Sequence, residues 1–186
     1  LTPATSNSIP DETFTFKYQA VLTPGLYQVR VGTRDEKSGK TGTVHQWIEI
    51  PDLSGHKLTL SSLIAGELPP ATQNAPSQSS RMILRANHCF RGDAGFRFLV
   101  YAYNAALTNS KPDLVVQAQV LRDRLPIIST TFLGVSTDDL SSTERIPISA
   151  DFPLKSLARG RYLLRITVID RVAKVSASQE MRMEIQ

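Results

Sequence analysis

From residue 13 onward, apolar residues fall at every second position in short runs, the spacing of strands with one buried face. Thr13–Ala20 alternates Phe14, Phe16 and Tyr18 with Thr15, Lys17 and Gln19. After the turn Leu22-Thr23-Pro24-Gly25, the stretch Leu26–Arg34 places Tyr27, Val29, Val31 and Thr33 on one face. Gln28, Arg30 and Arg34 take the other. A charged hairpin tip, Asp35–Lys40, leads into Thr41–Ile50, where Val44, Ile48 and Ile50 share a face and Trp47 points away from them. Further strands are predicted at Lys57–Ile64, Arg81–Ala86, Phe96–Tyr103, Asp113–Arg122, Ile127–Leu133, Arg145–Asp151, Tyr162–Ile169 and Val175–Ile185. Turn chemistry separates them at Arg91-Gly92-Asp93, Asn109–Pro112, Asp123–Pro126 and Asp138–Ser142. No run carries a helical period. Short strands so regularly spaced predict an all-β protein of immunoglobulin-like or fibronectin-III-like β-sandwich modules.

One segment occurs twice. Residues 25–50 align without a gap on residues 160–185, with Gly25/Gly160, Tyr27/Tyr162, Arg30/Arg165, Asp35/Asp170, Glu49/Glu184 and Ile50/Ile185 identical. A hairpin of this length cannot bury its own apolar face, so each copy is expected to close a larger sheet assembly. The strand count then divides the chain unequally. Residues 57–186 hold enough strands for a complete sandwich, with a flexible loop or surface strap at 66–80. Residues 13–53 hold three, the end of an incomplete one whose earlier strands would lie upstream in a longer parent, and residues 1–12 read as a tail or linker. Within both copies the spacing Leu-x-x-Gly-x-Tyr recurs, as Leu22, Gly25, Tyr27 and as Leu157, Gly160, Tyr162. It predicts a tyrosine corner, in which the hydroxyl folds back onto upstream backbone and the leucine caps the core. These are expected to be scaffold residues.

Composition narrows the function classes. The 186 residues carry a net charge of +4, but the lysines and arginines are scattered, without the dense basic clustering of a nucleic-acid arm or membrane-surface patch. No apolar run approaches the roughly 20 residues of a membrane helix. The single cysteine, Cys89, forms no intrachain disulfide and reads as a small buried apolar residue. The chain starts at Leu1, which suggests a processed or excised segment.

The segments Pro24–Val31, Arg34–Gly39 and Gln46–Leu53 resemble the C-terminal region of bacterial von Willebrand factor A-related proteins common in Acidobacteria. So do Tyr103-Asn104-Ala105, Lys111-Pro112-Asp113 and Arg171–Gln179, so that the likeness spans most of residues 13–186. The resemblance implies β modules that follow an N-terminal von Willebrand A domain in an exported protein, hence a periplasmic, cell-surface or extracellular location. It supplies no adhesion-site residue. Asp139-Leu140-Ser141-Ser142-Thr143 mimics the spacing of the family's metal site but follows no buried strand, and reads as a polar turn.

Other candidate chemistry is thin. Arg91-Gly92-Asp93 spells an adhesion tripeptide and is equally an ordinary strand connection. His88-Cys89 offers two metal ligands where zinc takes four, or three and a water, and His45 and His56 have no matching spacing. No phosphate loop, nucleophile elbow or zinc-protease helix occurs. Trp47 is a candidate contact residue, at a module interface or as a stacking platform for sugar. The expectation is therefore a noncatalytic structural or protein-interaction region without metal or cofactor, part of a larger assembly. Its partner would be another protein or the upstream domain. The alternative is a carbohydrate-binding module using exposed aromatics.

Overall fold

The computed structural model describes residues 18–68, 82–85, 87–138 and 140–186. Every regular element among them is a strand. The chain divides into two units, residues 1–52 and 53–186.

The first unit contains β1 (Gly25–Arg34) and β2 (Thr41–Ile50), paired antiparallel from Gly25↔Ile50 to Arg34↔Thr41. Of the strand expected at Thr13–Ala20, residues 13–17 lie outside the described residues, and 18–20 are not in a strand.

The second unit is a two-layered sandwich. Its strands are β3 (Thr59–Leu60), β4 (Ile64–Leu68), β5 (Ile83–Leu84), β6 (Cys89–Phe90), β7 (Gly95–Tyr103), β8 (Leu107–Thr108), β9 (Lys111–Pro112), β10 (Leu114–Arg122), β11 (Leu125–Ser129), β12 (Leu133–Gly134), β13 (Arg145–Pro153), β14 (Gly160–Asp170) and β15 (Val175–Ile185). One sheet runs β13-β7-β4-β5 with β3 on β7, and the other β11-β10-β14-β15-β6 with β12 on β10. β8 and β9 form a separate small hairpin. Among the described residues all pairings are antiparallel except β6 with β15, joined in parallel at Glu184↔Cys89 and Ile185↔Phe90.

Period-two alternation along the long strands builds the core. Phe96, Phe98, Val100, Ile146, Ile148 and Phe152 from one sheet meet Val116, Val120, Leu164, Ile166, Val168 and Met183 from the other. Phe90 and Phe96 meet edge to face at 4.9 Å between ring centroids. Burial on this scale, at about 25 cal/mol per Å² of apolar surface, is the main driving force for the second unit.

Several boundaries differ from the sequence reading for identifiable reasons. The expected loop at 66–80 begins later, because Gly66, Glu67 and Leu68 belong to β4; residues 69–80 lie outside the described residues. Gly66 permits this, since a Cβ there would run into Met82 and the backbone of Ile83. The single strand expected at Lys57–Ile64 is two strands separated by Ser61–Leu63. The run Ile127–Leu133 is divided between β11 and β12, with Thr130 bonded to both backbone groups of Ala118 at the break. The turn placed at Asp123–Pro126 is only Asp123-Arg124, both with positive φ, and Leu125 already pairs with Arg122. Pro147 sits inside β13, which is tolerable because β13 is the edge of its sheet.

Candidate functional site

The repeated hairpin holds up atom by atom. Gly160↔Ile185 and Tyr162↔Met183 reproduce Gly25↔Ile50 and Tyr27↔Ile48, so both copies share one register. The Tyr27 hydroxyl donates to the Thr23 carbonyl at 2.8 Å, and the Tyr162 hydroxyl to the Ala158 carbonyl at 2.7 Å, each four residues back. Gly25 and Gly160 take φ of +152° and +148°, where a side chain is strained. Leu157 and Tyr162 are buried in the second unit, while Leu22 is exposed and Tyr27 half-exposed in the first. Arg122 lies over the Tyr162 ring, 5.7 Å from its centroid. The same hydroxyl bond thus sits in two environments. Tyr162→Phe should destabilise the second unit by about 1–2 kcal/mol, since the buried ring loses its bond, whereas Tyr27→Phe should shift stability by less than about 0.5 kcal/mol. Urea titrations of the two variants check the contrast.

The hairpin tips also match. Gly39 and Lys174, equivalent in the alignment, both have positive φ, at 69° and 58°. Asp35 accepts the Lys37 backbone N–H at 2.9 Å and the Ser38 hydroxyl at 2.6 Å. The Ser38 bond, then the backbone N–H groups of Lys37 and Ser38, hold the Asp35 carboxyl below its usual range. Asp170 does more. Its Oδ1 accepts the N–H groups of Val172 and Ala173, both at 2.9 Å, and its Oδ2 that of Ala106 at 2.7 Å. Asp170 is fully buried. Sequence reasoning missed this role, although the Asp35/Asp170 identity at a hairpin tip was its signal.

A second buried carboxylate, Glu67, lies in what reads from sequence as a polar loop. It is 2% exposed, accepts the Arg91 backbone N–H at 2.8 Å, and binds Arg85 through Nη2 at 2.6 Å and Nε at 3.1 Å. Burial pushes its carboxyl upward, but the Arg91 N–H and the Arg85 guanidinium outweigh that and hold it below the usual glutamate range. The Arg91 guanidinium lies 3.9 Å from both Glu67 and Asp93. In the Arg91-Gly92-Asp93 turn, cation and carboxylate therefore face each other instead of splaying apart. Gly92 donates to the Gln186 carbonyl at 3.4 Å, fastening the turn to the end of β15.

The remaining candidates do not converge. Cys89 is half-buried, with Sγ 3.5 Å from the Asn87 carbonyl. Among the described residues no three His, Cys, Asp or Glu side chains gather as metal ligands. In the Asp139–Thr143 segment, residue 139 lies outside the described residues. A groove of about 770 Å³ is lined by charged side chains including Arg124, Arg161 and Arg182 over Leu121 and Leu163. Arg165 binds Glu180 at 2.7 Å beside it, and no serine, threonine or cysteine lines it. No helix among the described residues is long and apolar enough to cross a membrane.

What the first unit offers, among the described residues, is a partly exposed apolar surface. Val29, Val31 and Val44 are 42%, 49% and 64% exposed. Their hairpin face is the one whose counterpart in the second unit, at Leu164 and Ile166, is fully buried. On the opposite face Trp47 is 55% exposed. No family model and no curated protein matches the chain.

Proposed function

We propose that this chain is a noncatalytic β-sandwich region of immunoglobulin or fibronectin-III type, serving a structural and protein-contact role in an exported multidomain protein. The resemblance to von Willebrand factor A-related proteins supports the export and the multidomain setting. One observation carries the contact role. Positions 29 and 31 keep the valines of a core face, although no described residue covers them. Bare apolar β surface of this kind is retained where another polypeptide packs on it. Asp170 and Glu67 bind the chain's own backbone and arginines, which is how scaffold carboxylates behave.

The 186-residue chain should bind the dye anilinonaphthalene sulfonate, and Val29→Thr with Val31→Thr should remove most of that fluorescence while the second unit stays folded. Dye binding that ignores both substitutions would sink the contact reading. The exposure of Trp47 favours a second reading, a carbohydrate platform. A glycan-array signal that disappears in Trp47→Ala would select it instead.

A further inference from the structure

The last strand of the second unit is bonded along one side only. β15 pairs with β14 without a break from Val175 to Ile185, while β6 meets its other side at Glu184 and Ile185 alone. On that side the Glu184 and Gln186 N–H groups donate to the carbonyls of His88 and Phe90. Backbone groups of a strand alternate sides residue by residue, so Ser176, Ser178, Glu180 and Arg182 send theirs the same way, beyond the reach of β6. Among the described residues no backbone group answers them. The other sheet edges are blunted: β13 and β11 carry Pro147, Pro153 and Pro126, and β5 and β6 are two residues long. β15 has eleven residues and neither proline nor glycine. Its inward side chains show the same gap. Met181 and Met183, nearest β6, are buried, but Ala177 and Gln179 are half-buried. Gln179 reaches across to the Leu60 carbonyl at 3.3 Å.

We infer that this edge, residues 176–182, accepts an antiparallel strand from another polypeptide. The strand is an extended, proline-free segment with a carboxylate opposite Arg182 and an apolar side chain beside Val175. This contact is separate from the valine face of the first unit and goes beyond it. A row of alternating donors and acceptors at strand spacing is matched by extended backbone, which supplies the affinity, while side chains select the partner. Charge makes that selection at one end. Glu180 is bound to Arg165 at 2.7 Å and Glu184 lies 4.0 Å from Arg161, which leaves Arg182 without an acidic partner among the described residues. At the other end Val175 is 44% exposed, beside a groove of about 590 Å³ lined by Leu58, Ala105 and Ala106. A second copy fits poorly. Laid antiparallel over the same window, it would place Ser176 opposite Arg182 with Lys174 on the diagonal, and no carboxylate.

Amide hydrogen exchange of the full chain tests this with an acetylated octapeptide: glutamate, then alternating valine and threonine, then leucine. The peptide should slow exchange at residues 176, 178, 180 and 182 by about tenfold or more, while the N–H groups of β7 and β10 keep their rates. The same peptide N-methylated at its threonines, which removes the bonding donors and keeps the side chains, should have no effect. Arg182→Glu should reverse the preference, so that a peptide with lysine in place of glutamate protects the edge instead. Ser178→Pro, which removes an edge donor and leaves the β14 ladder intact, should abolish binding of both. Slow exchange at the four positions in the chain alone would mean that the chain itself covers the edge, or a second copy does where the protection is lost on dilution. Either result overturns the inference. So does an octapeptide that leaves the four rates unchanged, equal protection by its N-methylated form, or no charge reversal in Arg182→Glu. The dye experiment on Val29 and Val31 reads the first unit separately, so the failure of one leaves the other standing.

Discussion

Asp170→Ala should cost the second unit about 3–5 kcal/mol, the largest effect of any single change considered. The carboxylate is buried and accepts three backbone N–H groups, from Ala106, Val172 and Ala173. A hydrogen bond to a charged group is worth roughly 1.5–3 kcal/mol, and an alanine side chain leaves all three donors without their carboxylate acceptor. The three donors sit on two separate stretches of chain, so the β14–β15 tip and the residues just after β7 lose their shared anchor together. Asp170→Asn should fall between, because an amide keeps one acceptor oxygen but brings two hydrogens of its own. Guanidinium unfolding of both variants measures the order. An Asp170→Ala chain as stable as the parent would show that the tip is held by its turn geometry alone. At the equivalent position Asp35→Ala should leave the second unit's transition unmoved, since Asp35 binds only its own tip.

The second large effect is expected at Glu67. Truncation to alanine should destabilise by about 2–4 kcal/mol, because the Arg85 guanidinium loses its counter-charge and the Arg91 N–H its acceptor. The same geometry fixes a pH dependence. The folded-state carboxyl is held below the usual glutamate range, so it binds a proton less readily in the folded chain than in the unfolded one. Its contribution is therefore complete above the ordinary glutamate pKa, near 4.3, and is lost as pH falls through the depressed folded value. In Glu67→Gln that acid-side loss should be smaller than in the parent, which melting curves between about pH 6 and pH 3 would read. Parallel curves for the two chains would remove Glu67 from the acid response.

Local rules made much of this fold legible. The alternation Phe96, Phe98, Val100, Ala102 set β7 and its inward face correctly, and the ungapped repeat set the register of both hairpins. Tyr27 and Tyr162 follow from one spacing, and both hydroxyls donate four residues back. What escaped depends on contacts distant in sequence. β6 is two residues long, and its parallel pairing to β15 joins segments almost a hundred positions apart, so no local period announces it. Glu67 stands in a run of proline, serine and glutamine, and only the approach of Arg85 and Arg91 makes its burial affordable. The candidate surface was half legible. The valines at 29 and 31 mark a core face from sequence, but whether anything lies against them is a property of the assembled chain.

The parallel contact between β6 and the end of β15 bears on how the second unit responds to force. Glu184 donates to His88, Gln186 to Phe90, and Gly92 to Gln186, so both sides of the last residue are tied to one short segment. Tension applied at residue 186 along the strand loads these bonds together with the β14 ladder in shear, where they must break as a group and not one after another. A pull along β15 should therefore meet more resistance than one that peels the strand sideways, bond by bond.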